Sequence, residues 1–471
     1  MVFLPACAVP LAPGYQIERQ QVEVRHVAAP RAHLHIRVSY RLKNIGTSDL
    51  TSVEAALPAG PSFGRENLRA EVDAREVSLR IASEAGGAVV RVGFDPPWPQ
   101  KQRRNLVFEY DLAPLLPGHA VLAVNEGSFH IRDATAFPAL RPPKGAFAKG
   151  GQEPHEISLA VQVPGDFRVF ASGREQGSRR QEAETQQRFR ILKNEGERFV
   201  VAGQYQAQQV KMRDATVIFW TLEPLAADGA QAAAARLGTT FATFRATFGP
   251  LGKSPPPVRV IETPARLTQR AAGTGDAAGV ALPAGALLNR QAFALGVSTE
   301  PFLDLVEHEL AHTWFGQAVG PRPEVEPVLG EGLAEYAVVV AAEARGGEAA
   351  RRRQAALLLR WFDESRKRAA DKPLLRLEPS DPFEQRVFGY SKGALFFLAL
   401  EDQYGKESVR RALAHLVRSL RGSRFGFAEL LSALEQETKQ GLGDFFRLWL
   451  DQTGIPTEVR ARYEEKVEPK Q

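Results

Sequence analysis

The sequence has one cysteine, Cys7. No disulfide can form within the chain, and no thiolate cage can hold a metal. Long apolar runs are also missing: none approaches the roughly 18–20 residues of a membrane-spanning helix. Charge of one sign is scarce, with 60 Lys+Arg against 55 Asp+Glu, a net +5 that is small for 471 residues. The arginines are scattered and form no basic stripe interleaved with aromatics, which excludes nucleic acid as a partner. What remains is a globular composition, 44% hydrophobic and 24% charged, in a chain too long for one ordinary domain.

The first 13 residues, MVFLPACAVPLAP, carry no charge. Without a basic n-region they do not make a complete signal peptide. Ala6-Cys7-Ala8 resembles a small-residue cleavage site, and Leu4-Pro5-Ala6-Cys7 loosely resembles a lipobox in which Cys7 carries a lipid anchor. Residues 1–14 are read as a signal or lipobox remnant, or else as a disordered start. The first reading implies export to the periplasm or cell envelope; the second leaves a cytoplasmic location open.

Residues 15–207 read as an all-β domain. Segments such as AHLHIRVSYRLKN, GAVVRVGF, RNLVFEYDL and HEISLAVQV alternate apolar and polar residues between Gly, Pro, Asn and Asp breaks. Many short strands at regular spacing imply an antiparallel saddle or sandwich. His33 and His35 share one face of a strand and read as packing or surface histidines rather than ligands. From residue 208 to 459 helical periods dominate. VIFWTL and VRVIETP are strands, DGAQAAAARLGTTFATFRATFG is a helix ending at Gly249, and GTGDAAGVALPAGALLN is an extended edge segment. Residues 460–471 are left as a C-terminal tail. The fold class is therefore α+β multidomain, with a β domain ahead of a mainly helical one.

The chemistry concentrates in PFLDLVEHELAHTWFG. Ser298 or Thr299 caps the helix that begins at Glu300-Pro301. On it, His308 and His312 lie about 40° apart, one turn above the other. Glu309 stands about 100° from His308 on the same side as His312. Two neutral imidazoles thus face one ion, and a carboxylate beside them takes a proton from water: the chemistry of a zinc hydrolase with one Zn2+ per chain. This H-E-x-x-H pattern arises by chance in about one chain in a hundred of this size, so a third ligand is the test. Glu331 opens the next helix, nineteen positions after His312. Glu324 and Glu326 compete from a Pro-rich loop, and Glu335 competes from one turn further on, either as ligand or as a partner to a ligand.

HELAHTWFG followed by GEGLAEY resembles the zinc aminopeptidase family of membrane alanyl aminopeptidase, the gluzincins. The resemblance implies His308, His312 and Glu331 as zinc ligands and Glu309 as general base. Tyr390-Ser391-Lys392-Gly393 resembles the family's Tyr-x-Lys-Gly, which implies Tyr390 as donor to the oxyanion. DFFRLWLDQTGIP resembles the close of the family's catalytic domain. FPALRPPKGAF (137–147), VPGDFRVFASG and FVVAGQY resemble parts of its β domain. A β saddle on a thermolysin-like, mainly helical zinc-peptidase domain is implied, acting on peptide substrates as an aminopeptidase. Gly279, Val280, Ala281 and Leu282 would run beside the substrate as an edge strand.

Two departures stand out. The family's G-x-M-E-N segment, whose Glu holds the substrate's α-amine, corresponds to residues 273–279, where no Met-Glu-Asn occurs. Asp276 lies nearest that place, and Glu126 is the guess for the β domain's partner carboxylate. The chain also stops fifteen residues after Pro456, a short form lacking the family's helical C-terminal domain. An endo- or oligopeptidase of the same mechanism is the alternative within hydrolases. A zinc-containing envelope protein that binds peptides or a partner without cleaving them is the alternative outside. Side-chain preference and oligomeric state are not legible.

Overall fold

The computed structural model describes residues 14–57, 63–84, 87–114, 122–132, 137, 139–141, 155–192, 198–213, 215–252, 254–264, 279–379, 381 and 383–464. Cys7, Asp276 and most of 137–147 lie outside them. The chain divides into two compact units, Met1–Tyr205 with Thr263–Thr268 and Gln206–Glu262 with Gln269–Gln471. It is an α+β chain, with sheets first and helices after.

The first unit is built from period-two alternation. Along strand His33–Asn44, Leu34, Ile36, Val38, Tyr40 and Leu42 are all buried, and their neighbours turn to the opposite face. Leu106, Phe108, Tyr110 and Leu112 repeat the pattern on the adjacent strand Arg103–Pro114. These strands belong to an eight-stranded sheet, and two four-stranded sheets complete the unit. One pairing departs from the antiparallel expectation: Tyr15–Val27 runs parallel to Ile157–Pro164. A parallel pair needs a long crossover, and the long stretch of chain between those strands supplies it. His35 hydrogen-bonds Asp111 at 2.8 Å across the sheet, so it is a partly exposed residue tied to its neighbouring strand. Glu126 sits in the exposed turn between strands Leu122–Asn125 and Ser128–Arg132.

The second unit begins at Gln206 rather than 208, because strand Gln206–Lys211 pairs with Thr216–Thr221 in its five-stranded sheet. Thr216–Thr221 and Val258–Thr263 are parallel, joined by helix Ala227–Phe248, a βαβ crossover. That helix buries Ala230, Ala233, Ala234, Leu237, Phe241, Phe244 and Phe248, the i, i+3, i+4 stripe of a packed helix. It stops at Gly249, whose φ of 97° suits glycine. At the sheet's edge, Gly279–Leu282 forms a hairpin with Gly285–Asn289. Gly285 sits so close to Arg259 that an added Cβ would lie 2.1 Å from its carbonyl oxygen.

The expected tail at 460 begins later. Helix Thr457–Tyr463 is packed, with Val459 and Tyr463 buried. Arg460 pairs with Asp363 at 2.7 Å, and the Tyr463 hydroxyl donates to Asp402 at 2.7 Å. The partners that hold Arg460 and Tyr463 lie far back in the chain, where local sequence does not show them.

Candidate active site

Four helical segments build the site. The motif helix, Glu300–Ala311, has Thr299 at its N-cap and Pro301 in its first turn. Thr299 makes no capping bond; its hydroxyl donates instead to the Gly296 carbonyl at 2.8 Å. Phe302, Leu303, Val306 and Leu310 are buried and seat the helix in the core. His312 ends it, still in the right-handed helical region at φ −62°, ψ −13°. Just beyond, Trp314 is buried against Phe241 and Phe244, each 5.7 Å between ring centroids, and donates to the Gly249 carbonyl at 2.8 Å. Aromatic pairs of this kind contribute about 0.5–1.5 kcal/mol each beyond burial, so the end that carries the histidines is the well-anchored end.

The long helix, Glu331–Arg366, starts at Glu331. Its second residue, Gly332, meets the third segment, helix Phe383–Tyr404. A Cβ on Gly332 would lie 2.9 Å from the Gly389 carbonyl oxygen and 2.9 Å from Gly393 Cα. The glycines of GEGLAEY and YSKG are thus partners in one close helix contact, which sets Glu331 and Tyr390 side by side. The fourth segment is the short helix Glu326–Leu329.

The side chains converge. His308 Nε2 lies 3.1 Å from Glu331 Oε2 and 3.1 Å from His312 Nε2, and His312 Nε2 lies 3.5 Å from Glu331 Oε2. The three candidate ligand atoms lie within 4.8 Å of one another. Among the described residues no other group of His, Cys, Asp and Glu converges in this way. His312 Nδ1 donates to the Phe315 carbonyl at 3.2 Å, which leaves Nε2 as the free-electron-pair nitrogen. Glu335 stands 2.9 Å from His308 Nδ1, off the line of a straight hydrogen bond. It therefore faces the far side of that ring, the place of a partner that orients a ligand rather than of a ligand.

Burial acts to keep His308 and His312 neutral, but the carboxylates Glu335 and Glu331 outweigh it and raise both pKa values. Burial likewise opposes the Glu331 charge, and the two histidines overcome it. A buried negative field that draws protons onto imidazoles suits a divalent cation equally well. Two imidazole nitrogens and one carboxylate oxygen, with no sulfur, make a donor set for zinc with a position left open.

Glu309 is buried beside the cluster, 5% exposed. The Tyr390 ring stacks on His308, centroids 5.7 Å apart and planes within 14°, and Glu331 is near enough to act on its hydroxyl. Burial and then the charges of Glu331, Glu326 and Glu309 hold that phenol protonated, well above its ordinary range. Gly279, Val280 and Ala281 lie on the edge strand, whose Leu282 carbonyl approaches the Thr313 hydroxyl at 3.5 Å. Glu324 is exposed in the turn Pro323–Val325.

Sequence reading missed two features. Glu326 does not dangle in a loop: its short helix places its carboxyl against Glu331, and burial, then that neighbouring charge, pushes its pKa up to about 7. Behind the motif helix, Glu307 is fully buried and gripped by two arginines. Carboxylates at 300, 304 and 307 on one helical stripe were the only available signal.

Residues 284–449 match the peptidase family M1 domain. The segment is a peptidase family M1 domain. It holds both histidines, Glu309, Glu331 and Tyr390. Aminopeptidase M1-B of Oryza sativa subsp. japonica is 27% identical over 163 residues, covering 32% of this chain and 18% of that protein. Probable aminopeptidase 1 of Saccharolobus solfataricus is 26% identical over 172 residues, 32% of this chain and 20% of that one. These matches span about a fifth of the relatives' length. The fold is matched far more widely. An M1 zinc metallopeptidase of Deinococcus radiodurans, solved with a Tyr-Ser-Ala substrate, aligns over 96% of this chain and 97% of its own at TM-score 0.59 and 17% identity. Yeast LTA4 hydrolase aligns over 95% and 70% at TM-score 0.62 and 13% identity. The two-part architecture, β sheets followed by a helical M1 domain, is therefore shared.

Proposed function

We propose that this chain is a zinc-dependent metallopeptidase that releases N-terminal residues from peptides. The observation that carries the reading is the convergence of His308 Nε2, His312 Nε2 and a Glu331 oxygen within 4.8 Å, with Glu309 and Tyr390 at its edge. Bound by these three residues, zinc supplies Lewis acidity, which activates water and polarises the scissile carbonyl. Glu309 is the base that takes the proton from the attacking water and delivers it to the leaving amine. Tyr390, kept protonated, donates its hydroxyl to the oxyanion as the tetrahedral centre forms. Glu335 steadies the His308 ring from behind. The edge strand Gly279–Leu282 offers backbone groups to an extended peptide.

The names of the matched relatives favour the aminopeptidase form. Residues 273–279 lack the Met-Glu-Asn of the family's amine-anchor segment, which favours the endo- or oligopeptidase form. A free-amine peptide assayed against its N-acetylated twin separates the two: an aminopeptidase cleaves only the first, and equal rates reject that form. Glu309→Gln tests the mechanism common to both. It keeps the three ligands and loses nearly all turnover; undiminished hydrolysis with zinc retained would overturn the assignment of Glu309. Stoichiometric zinc with no hydrolysis across a peptide library would instead mark a binding protein.

A further inference from the structure

Glu307 directly precedes His308, and its side chain is 0% exposed. Both of its oxygens are occupied. Oε1 receives Arg236 Nε at 2.9 Å, Arg345 Nη1 at 2.6 Å and the Thr240 hydroxyl at 2.7 Å. Oε2 receives Arg236 Nη2 and Arg345 Nη2, each at 3.2 Å. Two guanidinium forks therefore close on one carboxylate. Arg236 comes from helix Ala227–Phe248 and Arg345 from the long helix. Arg236 also reaches Asp304, and Glu300 at 2.6 Å. It grips one full stripe of the motif helix.

A buried ion cluster is a poor device for stability alone, since apolar residues of similar size usually serve as well. Its strength is direction: bidentate forks fix orientation. We propose that Glu307, clamped by Arg236 and Arg345, is a positioning residue that sets the rotation of the motif helix and thereby the aim of His308 and His312 at the metal. This rests on the metal-centre reading above.

The geometry shows why rotation must be held. Glu307 and Glu309 lie about 100° to either side of His308. A ring nitrogen about 6.5 Å from the helix axis moves about 1 Å for a 10° turn, whereas metal–ligand distances tolerate about 0.2 Å. The helix must therefore be fixed to a few degrees, and the paired forks add directional restraint to the apolar packing of Phe302, Leu303, Val306 and Leu310. Arg345 adds a second tie to the helix that carries Glu331, about 21 Å further along. Immediately after it the helix breaks, at Gly346 (φ −132°, ψ 16°) and Gly347 (φ 63°, ψ −158°). Beyond the break, Gln354 donates to Asp304 at 3.4 Å, so the bent helix touches the motif helix on both sides of the kink.

The test compares the full-length protein with Glu307→Gln, Arg345→Met and, as control, Arg351→Met. Arg351 is an arginine buried more deeply than Arg345, paired with Glu401 and Asp402, that touches none of the three proposed ligands. Zinc affinity is read by chelator competition, ligand geometry by the visible spectrum of the cobalt(II) form, and folding by far-ultraviolet circular dichroism. Glu307→Gln and Arg345→Met should weaken zinc by about 10–100-fold and alter the cobalt spectrum while keeping the fold. Arg351→Met should lower Tm and leave both metal readouts unchanged. If Glu307→Gln does not fold, Arg345→Met decides, because Arg236 and Thr240 still satisfy the carboxylate. Unchanged affinity and spectrum in the folded clamp variants overturn the clamp alone. A wild-type chain that binds no zinc overturns the metal-centre reading and the clamp with it.

Discussion

Gly389 tests whether helix spacing, not only side-chain identity, makes this site. It precedes Tyr390 and lies against Pro327 of the short helix that leads into Glu331. In Gly389→Ala the new Cβ would stand 2.2 Å from the Pro327 carbonyl oxygen, 2.7 Å from its carbonyl carbon and 3.0 Å from its Cβ. Comfortable non-bonded contacts lie at about 3.5 Å, so the overlap is about 1.3 Å. The clashing atoms are backbone on one side and a locked ring on the other, and no rotamer change relieves them. Either the Tyr390 helix backs away by about 1 Å or the Glu326–Leu329 helix does. The first displaces Tyr390, the proposed oxyanion donor; the second displaces Glu331, a proposed ligand.

Overpacking of this size costs about 1–3 kcal/mol of stability, and a 1 Å misplacement at a reacting centre costs about 100-fold in rate. The expected variant folds with a Tm lower by a few degrees and hydrolyses a free-amine peptide about 100-fold more slowly. The assay is kcat and KM alongside zinc content and a thermal melt. Gly443→Ala is the control: nothing stands within 4 Å of its added Cβ, and it should be silent. Full activity and an unshifted melt in Gly389→Ala would refute the claim that the glycine contact fixes Tyr390 and Glu331.

Three further outcomes are expected. Tyr390→Phe keeps the ring stacked on His308 and loses only the hydroxyl, so zinc binding and Tm should hold while kcat falls by about 10²–10³-fold, read by steady-state kinetics. Lys392, 1% exposed, donates to the Gln452 carbonyl at 2.8 Å and faces Asp371 at 3.6 Å. Lys392→Met should cost about 3–5 kcal/mol by leaving that carboxylate buried without its cation, the Gly454 N–H still donating to it, and adding Asp371→Asn should restore part of it in a denaturant-unfolding cycle. Burial opposes the Glu343 charge, but Lys406 and Arg410 prevail and hold its pKa below the ordinary 4.5. A depressed folded-state pKa contributes stability above 4.5 that is lost as pH falls through the folded value, so the stability gap between wild type and Glu343→Gln should close on acidification below 4.5.

The part of the site legible in the sequence is the part fixed by local periodicity. His308, Glu309 and His312 are placed by one helix, and a helix repeats every 3.6 residues whatever surrounds it. Glu331 was nominated by its place at the start of the next helix, with three other glutamates in contention. Choosing among them takes tertiary information: Glu335 is only one turn away, yet it faces the other nitrogen of His308. The alternation of residues 33–44 gave the strand and its buried face in the same way. It was silent on the parallel partner, because a crossover of that length leaves no local mark.

What stayed hidden shares one physical character: it depends on how closely two helices approach or on what lies behind one. Gly332 and Gly393 read as fragments of two separate motifs, and only their contact explains why both lack a side chain. Glu307 carries no local mark that separates it from the other charges of the motif helix. Its burial between two arginines, drawn from positions 71 residues before and 38 after, shows only in the fold. A lone carboxylate next to a metal-binding histidine would compete for the ion or repel its neighbours. Two guanidiniums remove that conflict by neutralising it, and their forks turn it into a fixed point. The proposed ligands are then set by local sequence and their aim by distant sequence, so changes far from His308 in the chain, at Arg236 or Arg345, should reach metal binding first.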